Sequence, residues 1–553
     1  MSKKDKFILT VMGLSIILLL WILPNGHDLW YHLYRIGAMA VELEKSPWNI
    51  PIRILSDTFN GYGYGAALYY GDIFLYIPAV LVVCGMNIVM AYKIFSVMMW
   101  LGCFGISYYT GKILGGKKEN CLLLAYMYTF SASFILNVFV RSAVGEALAM
   151  IFLPLVFGSY FCLLYKEQTK YKFVVLLALS MTAIALSHMI SLMWTAVILI
   201  IWSLMEWKRV FNRRKWIEII KAALLMTCLS ASFLFPMLEQ MIYQKVQTAG
   251  NHDHEKSVFM EYGIEWIDYF ISYDMRRVLM SLSETGENIG TWRPGTIGLF
   301  AILLVSCIVF FKITLSKKTC IILIISLTGL ISLAIDPVMN LAKEVIAFTQ
   351  FSWRILPFLT VGMVSVAWKA SWDNEKVKWI LCTGTFSIAM MILIPRYYYQ
   401  IFQEEKREYY YNSNAADFMY LPENAKKAAY SERGEIIIVE NEGVEFDWER
   451  RNGEIWIEIV ENPYNNTRLE FPLYHYKGYV GVQKDGKHLI PTASENGLVC
   501  LDIEDYRGEM TIRYEETLCQ KVSDIISLVT SLGLGISVMK RKIIYFLRAN
   551  SQK

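Results

Sequence analysis

Two histidines, an aspartate and an arginine lie close together in the stretch "NGHDLWYHLYRIG", which follows an apolar run ending at Pro24. Asp28, His32 and Arg35 are spaced i, i+4 and i+7, so a helix that begins near Asp28 carries all three on one face. A carboxylate there can take a proton from a hydroxyl, and Arg35 or an imidazole can balance developing negative charge. Asp28 also has the type and position of an N-cap residue after "PNG", so capping is an equally open reading.

Metal binding is a further alternative for this stretch. His27 and His32 are each more typical of interfacial hydrogen bonding than of metal ligation. The i, i+4 pair of Asp28 and His32 supplies only two ligands, where a metal site needs at least a third. The sequence therefore leaves a divalent metal ion open, and it indicates no organic cofactor.

The elements that must position these residues are those of a membrane protein. Of the 553 residues, 55% are hydrophobic and 18% charged, and the apolar residues come in long blocks. The net charge of +4 is small, and Lys and Arg cluster between the blocks as topology signals do. We therefore expect a multi-pass protein of the plasma membrane with no nucleic-acid partner.

About twelve apolar segments are long enough, or nearly so, to cross a bilayer. They are 7–23, 92–110, 120–136, 147–164, 172–187, 190–206, 217–235, 295–312, 319–335, 355–370, 378–394 and 522–538. A further apolar stretch, 69–87, contains Pro78 and Gly85, and we predict a partly immersed or juxtamembrane helix broken by them. With that stretch left out, five basic loops and the basic C-terminal tail face the cytoplasm, as the positive-inside rule requires, and both termini are cytoplasmic.

The topology leaves four substantial outer segments: 24–91, 236–294, 336–354 and 395–521. The last alternates apolar and polar residues and carries "NG", "DG" and "NG" turns at 452–453, 485–486 and 496–497, which are hairpin signals. We predict a polytopic α-helical membrane protein with a sandwich-like, all-β extracytoplasmic domain before its last span. The predicted domains are 1–394 (transmembrane, with first outer loop 24–91), 395–521 (β-domain) and 522–553 (last span and basic tail).

Two smaller features of the outer segments carry predictions of their own. The run "NGYGYG" at 60–65 predicts a tight, aromatic-lined turn rather than a phosphate cradle, because no helix start follows it. Cys500 and Cys519 are the two cysteines in a polar region, so a disulfide between them is a possibility without further support.

Ionisable residues inside or beside the apolar segments all fall at predicted outer ends. They are Asp28, His32, Arg35, Asp72, Arg141, Glu146, His188, Glu239, Asp336 and Arg354. The bilayer midplane is left almost free of charge, whereas ion-coupled transporters keep carboxylates or broken helices there. This distribution suits chemistry on a lipid-linked phosphate, whose reactive carbon lies at the outer interface.

The stretches "GHDLWYHLYRI", "SPWNIPIRILSDTFNGYGYG" and "LYYGDIFLYIPAVLVVCG" resemble the first outer loop of the GT-C class of membrane glycosyltransferases. More narrowly, the chain is similar to bacterial membrane proteins labelled "6-pyruvoyl-tetrahydropterin synthase related" and to YfhO-type glycosyltransferases. The resemblance continues through "NVFVRSAVGEALAM", "ALSHMISLMW", "TQFSWRILPF" and "FPLYHYKGYVGVQKDGKHL", and so covers nearly the whole chain. Nothing in the residues supports pterin chemistry.

The resemblance implies a GT-C-like fold in which an aspartate of the first outer loop, here Asp28, is the catalytic base. It implies a sugar donor linked to polyprenyl phosphate or pyrophosphate, and transfer with inversion to a cell-envelope glycan, polymer or lipid at the outer face. Some members carry two acidic residues in this loop and use a metal ion. Here position 27 is His, and Asp72 could supply the second carboxylate.

Further residues of the outer cluster are expected to bind substrate. Arg141 is a candidate phosphate ligand oriented by Glu146, and a purely structural Arg–Glu pair is as compatible with the sequence. Arg354 is a second candidate, with Trp353 as a membrane-belt residue or a sugar platform. The predicted substrate-binding residues are His27, His32, Arg35, Arg53, Asp72, Arg141, Glu146, His188, Trp353 and Arg354.

Two other function classes compete with a glycosyltransferase. One is a transporter or flippase of lipid-linked sugars, which the uncharged midplane disfavours. The other is a non-catalytic envelope-assembly protein whose β-domain binds carbohydrate. The substitution Asp28→Asn distinguishes an enzyme from an assembly protein, since it should abolish sugar transfer by an enzyme and do little to an assembly protein.

Overall fold

The computed structural model describes residues 2–21, 26, 28–48, 50–166, 171–247, 252–283, 297–402, 418–425, 434–440 and 443–550. Its helices are α1 (Lys3–Trp21), α2 (Leu29–Lys45), α3 (Tyr76–Val83), α4 (Ile88–Ile113), α5 (Lys118–Thr129), α6 (Ala132–Ile135), α7 (Val144–Tyr165), α8 (Tyr171–Ala185), α9 (Met189–Met205), α10 (Trp207–Val210), α11 (Arg213–Leu229), α12 (Ala231–Tyr243), α13 (His252–Glu261), α14 (Tyr273–Ser283), α15 (Ile297–Phe310), α16 (Lys317–Ser332), α17 (Asp336–Ile346), α18 (Leu356–Ala370), α19 (Glu375–Phe402) and α20 (Leu518–Asn550). Its strands are β1 (Ile437–Glu440), β2 (Glu445–Arg451), β3 (Glu454–Glu461), β4 (Thr467–Tyr474), β5 (Tyr479–Gln483), β6 (His488–Leu489), β7 (Thr492–Ala493), β8 (Leu498–Glu504) and β9 (Gly508–Tyr514).

Candidate membrane spans are fewer than the sequence suggested. Within the described ranges, α4, α7, α19 and α20 are each long and apolar enough to cross a bilayer. The pairs α5 with α6, α11 with α12, and α16 with α17 qualify only as bent units, which raises the number to at most seven. Each predicted segment contains a helix, but α8, α9, α15 and α18 have only 14 to 17 residues, where a straight crossing takes about 20. The count of twelve stays a prediction.

The chain divides into two compact units. The first unit comprises Met1–Leu33, Met86–Ile219 and Asn251–Tyr410. The second unit comprises Tyr34–Gly85, Ile220–Gly250 and Tyr411–Lys553. Two of the boundaries fall inside helices, namely α2 and α11.

In the first unit, α7 packs against α4 and α8, and α4 also packs against α5. A helix that is apolar all round is stable only when it is covered all round, and α7 is buried along most of its length. Trp100 of α4 donates its indole N–H to Ser15 Oγ at 2.9 Å, and its ring packs against Phe130, Phe134 and Phe139. This aromatic packing fixes the start of the turn that leads to Arg141.

The second unit contains the β-domain, which has two antiparallel sheets ordered β1-β4-β8-β7 and β2-β3-β9-β5-β6. Gly481 of one sheet leaves room for Leu501 of the other, since a Cβ at Gly481 would lie 2.7 Å from the leucine Cδ1. The predicted all-β domain is therefore present, and its two sheets contact each other at this point. The "NG" turn between β2 and β3 has positive φ at both Asn452 and Gly453, 52° and 85°, as a type I′ hairpin requires.

The first outer loop of the second unit folds onto the β-domain. Leu55 and Tyr64 exchange two backbone hydrogen bonds of 3.0 Å, which close the "NGYGYG" segment into a tight turn. Tyr474 of β4 donates its backbone N–H to the carbonyl of Tyr62 at 2.8 Å, and the two rings pack 5.4 Å apart. The predicted aromatic-lined turn is thus a docking element for the β-domain.

Helix α12 also holds the β-domain within the second unit. The Gln240 side chain donates to the carbonyl of Lys477 at 2.7 Å, and Lys477 Nζ pairs with Glu239 at 3.1 Å. The first outer loop, the end of α12 and the β-domain therefore contact one another within the second unit.

Two sequence expectations in the second unit need correction. Pro78 does not break the helix predicted at 69–87, because it occupies the first turn of α3, where a missing N–H costs nothing. The helix ends before Gly85, which has φ 88°. Cys500 and Cys519 are both free thiols, so the possible disulfide is absent.

Substitution Gly65→Ala tests the docking of the first outer loop. The added Cβ would lie 2.8 Å from the ring of Tyr476, which cannot easily move because its hydroxyl donates to the carbonyl of Tyr420 at 3.0 Å. Overpacking of this kind lowers the free energy of unfolding by about 1–3 kcal/mol. Thermal unfolding in detergent should show a lower Tm, whereas the control Gly105→Ala, whose Cβ meets open space, should not. Equal Tm values for the two variants would contradict the docking contact.

Candidate active site

The first part of the candidate site is a π-helical turn, Leu136–Arg141, which ends at Ser142 in the left-handed conformation with φ 56°. The wider turn directs Arg141 back into the first unit, where its side chain is buried. Arg141 Nη1 donates to Asn137 Oδ1 at 2.8 Å and to Glu146 Oε2 at 2.6 Å. Glu146 is in the first turn of α7, which begins two residues after Ser142.

A second arginine reaches the same carboxylate from a distant part of the sequence. Arg354 lies in the short 3-10 turn Ser352–Ile355, and its Nε donates to Glu146 Oε1 at 3.0 Å. Its Nη1 donates to the carbonyl of Thr349 at 2.7 Å and to Gln350 Oε1 at 2.8 Å. Among the described residues, nothing accepts a hydrogen bond from Nη2, so one nitrogen of this guanidinium is available to a ligand.

Glu146 thus joins two guanidiniums, and we call this arrangement the Arg141–Glu146–Arg354 bridge. The three side chains are between 5% and 12% exposed. Buried charges are tolerated when they are paired and hydrogen-bonded, and each oxygen of the Glu146 carboxylate accepts from a different arginine. Two cations against one anion leave the bridge with one positive charge in excess.

The loop that carries Asp28 is fastened to the π-helical turn through its backbone. The Asp28 N–H donates to the carbonyl of Arg141 at 2.9 Å, and the Gly26 N–H donates to Ser142 Oγ at 3.0 Å. A Cβ at Gly26 would lie 2.2 Å from the carbonyl carbon of Arg141. Only glycine permits this approach, which gives the glycine of the "NGHD" stretch its structural reason.

Asp28 occupies the N-cap position of α2, because its carbonyl accepts the first helical hydrogen bond, from His32 N–H at 3.1 Å. In the part of the chain that the structure describes, no group donates a hydrogen bond to its carboxylate, which is half-buried. Loss of water raises the pKa of Asp28 above its usual value; Arg141 and Arg354 lower the pKa, and Glu146 raises it. The result is an unengaged carboxylate near two cations.

His188 lies beside the bridge as a neutral imidazole. Burial lowers its pKa to about 3, with Arg354 and Arg141 acting in the same direction and Glu146 opposing them. Its Nδ1 accepts the backbone N–H of Ser191 at 3.2 Å at the start of α9, so the proton of the neutral ring is on Nε2. His188 can therefore donate a hydrogen bond without adding positive charge.

Trp353 packs beneath the bridge rather than facing outward. Its ring stacks on Phe351 at 4.4 Å and 5°, Tyr262 contacts it edge-on, and Arg141 lies 5.7 Å from its centroid. Only 4% of Trp353 is exposed, which leaves little surface for a membrane belt or a sugar platform. Its observed contacts indicate that it supports Arg141.

Three of the predicted residues form a separate group in the second unit. Arg53 Nη2 donates to both carboxylate oxygens of Asp524 at 2.7 and 2.8 Å, and its Nη1 donates to the carbonyl of Ser232. Arg35 donates to the carbonyl of Tyr70 at 3.4 Å. Burial raises the pKa of Asp72 to about 6, against the opposing effect of Arg35 and Arg53. Arg53 is engaged by its own chain, so its observed contacts are structural.

The remaining predictions concern histidines and a metal ion. His32 is buried in the first turn of α2. His27 lies outside the described residues. The described ranges contain no group of three or more His, Cys, Asp or Glu side chains placed to hold a metal ion.

Comparison with known proteins gives only distant similarity. No family model and no curated protein matches the chain. Among solved structures, arabinofuranosyltransferase AftD from mycobacteria is 14% identical, with a TM-score of 0.40 over 72% of this chain and 27% of that one. A mutant form of AftD reaches a TM-score of 0.41 at the same identity over 28% of its length. The Archaeoglobus fulgidus oligosaccharyltransferase in the apo form is 12% identical, with a TM-score of 0.35 over 71% of this chain and 55% of that one.

The chain therefore spans about a quarter of AftD and about half of the archaeal enzyme. TM-scores below 0.5 do not establish a shared fold. The class of this protein accordingly rests on its own site: a membrane protein with a carboxylate and a cationic bridge gathered at one end of its helices.

Substitution His188→Asn tests the neutral imidazole. Because the pKa of His188 falls from 6.5 to about 3 on folding, the unfolded chain binds a proton between these pH values that the folded chain does not. His188 therefore leaves the free energy of unfolding at its full value above about pH 6.5. Below that pH the free energy of unfolding decreases, by up to about 1.4 kcal/mol per pH unit. The variant should show a shallower fall of Tm between about pH 6.5 and 4.5. The exposed His488 gives the control His488→Asn, and matching slopes for wild type and His188→Asn would disprove the assignment.

Proposed function

We propose that this protein is a membrane glycosyltransferase of GT-C type, which transfers a sugar from a polyprenyl-phosphate-linked donor to a cell-envelope glycan, polymer or lipid at the outer membrane face. Asp28 is the general base. Arg354 and Arg141 bind the donor phosphate, and His188 contributes a neutral hydrogen-bond donor. The resemblance of the first outer loop to that class supports the same assignment.

One observation carries the proposal. The Asp28 carboxylate and Arg354 Nη2 are both free of hydrogen bonds within the described residues, while every neighbouring charge is engaged. An enzyme that deprotonates a hydroxyl and stabilises a departing phosphate needs one free base and one free cation held close together. The excess positive charge of the Arg141–Glu146–Arg354 bridge attracts the phosphate without neutralising Asp28.

The proposed step is a single displacement. The acceptor hydroxyl oxygen forms a bond to the anomeric carbon while its proton passes to a carboxylate oxygen of Asp28. The bond between the anomeric carbon and the phosphate oxygen breaks, and its electron pair leaves with the lipid phosphate. The guanidinium of Arg354 stabilises the charge that develops on that phosphate. Attack from the face opposite the phosphate inverts the anomeric centre.

Substitution Asp28→Asn should reduce sugar transfer by a factor of about 10²–10⁴, the usual contribution of a positioned base, because the amide cannot accept the proton. The assay uses purified protein in liposomes with a panel of polyprenyl-phosphate sugars, with and without a chelator of divalent metals. Asp57→Asn, which changes an exposed carboxylate of the same loop, is the matched control. Full turnover in Asp28→Asn would remove the proposed base, and sensitivity to the chelator would reveal a metal requirement.

The pH dependence of kcat/KM gives a second test. Asp28 is a base only when ionised, and its pKa lies above the usual 3.8, so activity should be constant at higher pH and fall as pH drops through the raised pKa. Arg354→Ala should weaken donor binding and, by removing a cation that lowers this pKa, move the acid limb to higher pH. An acid limb unchanged in Arg354→Ala would contradict the proposed proximity. Arg451→Ala, at an exposed arginine of β2, serves as the control.

A further inference from the structure

Helix α17 follows α16 at a sharp angle. The two helices are bent by 98° across a short break, and α17 begins with Asp336 and a proline in its first turn, where proline favours a new helix start. If α16 runs across the bilayer, α17 lies close to the membrane plane. An amphipathic helix in that orientation exposes one face to lipid.

Helix α17 has two apolar faces, of which the fold uses one. Met339, on one face, is buried within the first unit. On another side, Val338, Leu341 and Val345 of α17 and Phe348 of the following turn Ala347–Thr349 continue at helical spacing and are 41%, 77%, 75% and 39% exposed. We call these four residues the α17 stripe. It extends roughly 15 Å along the helix, from the rise of 1.5 Å per residue.

The α17 stripe leads to the candidate phosphate ligand. Phe348 stacks near Trp194 at 6.5 Å and 23°. The next two residues hold Arg354, through the Thr349 carbonyl and the Gln350 side chain. Gln350 has a positive φ of 64°, a conformation that turns the chain sharply at this point. The α17 stripe therefore ends within a few residues of Arg354, whose Nη2 is available to a ligand.

The orientation of α17 is fixed by its buried Met339 side and by its contacts with α13. Lys256 of α13 pairs with Glu344 at 2.6 Å, and α13 also packs against the turn Ala347–Thr349. The buried Met339 side of α17 therefore faces the rest of the first unit, and Glu344, whose side chain is 54% exposed, lies at the edge of that contact. The α17 stripe is therefore held facing away from the protein, at a constant position relative to Arg354.

We propose that the α17 stripe binds the hydrocarbon chain of a polyprenyl phosphate and delivers its anionic headgroup to Arg354 Nη2. The two parts of this lipid match the two features of the protein. Its long apolar chain suits the α17 stripe, and its phosphate suits Arg354 Nη2. This inference rests on the proposed function, since it names the path by which the donor lipid enters the same site.

The test is photocrosslinking, which requires no turnover. Purified protein in phosphatidylcholine nanodiscs is exposed to undecaprenyl phosphate that carries a diazirine in its first isoprene units, and the labelled peptides are mapped. Label is expected on α17, and undecaprenyl phosphate should compete for it at least about tenfold better than undecaprenol. The variant Leu341→Ser/Val345→Ser should lose about tenfold or more of the label, since each exposed side chain contributes apolar contact. The matched control is Ile324→Ser/Ile325→Ser on the lipid-exposed surface of α16.

The outcomes separate this inference from the proposed function. Label spread equally over α16 and α17, or competed equally by undecaprenol, would overturn the inference even if sugar transfer is observed. Specific label on α17 in a protein that transfers no sugar from any donor would sustain lipid-phosphate binding while removing the glycosyltransferase. Loss of label in Arg354→Ala together with the α17 variant, and not in the α16 control, would support the lipid-phosphate path, and the sugar-transfer assay decides the function separately.

Discussion

The candidate site depends on the two ion pairs that the Glu146 carboxylate makes with Arg141 and Arg354. The carboxylate accepts from Arg141 and Arg354, which approach it from a π-helical turn and from a loop 208 residues away. Without it two buried guanidiniums would face each other unpaired, and removal of one partner from a buried pair typically costs about 3–5 kcal/mol. Because the backbone of Arg141 also holds the N–H of Asp28, the same carboxylate positions the proposed base indirectly.

Local sequence signals were sufficient for much of the fold. The helix start at Asp28 followed from an N-cap residue after a turn, and the hairpin at Asn452-Gly453 followed from the tolerance of these residues for positive φ. The pairing of Arg141 with Glu146 was also accessible, since five residues separate them. These features depend on the chain immediately around them, so a single sequence contains the information.

Features built from distant segments were not accessible in the same way. Nothing near Arg53 indicates Asp524 as its partner, and the phosphate-binding role predicted for Arg53 arose because the sequence showed a cation without its partner. Gln350 was missed since its contribution depends on an unusual backbone turn beside Arg354. The span count of twelve stays a prediction, because hydropathy marks apolar segments without showing where helices such as α16 and α17 bend.

The bidentate pair of Arg53 and Asp524 has a consequence for biogenesis. The two residues are 471 positions apart, so at a synthesis rate of about 5–20 residues per second the arginine exists for roughly half a minute or longer before its carboxylate is made. During that time the first outer loop carries an uncompensated cation and an incomplete docking surface. Its final closure therefore awaits synthesis of α20, so a chain that ends before Asp524 leaves Arg53 without this carboxylate.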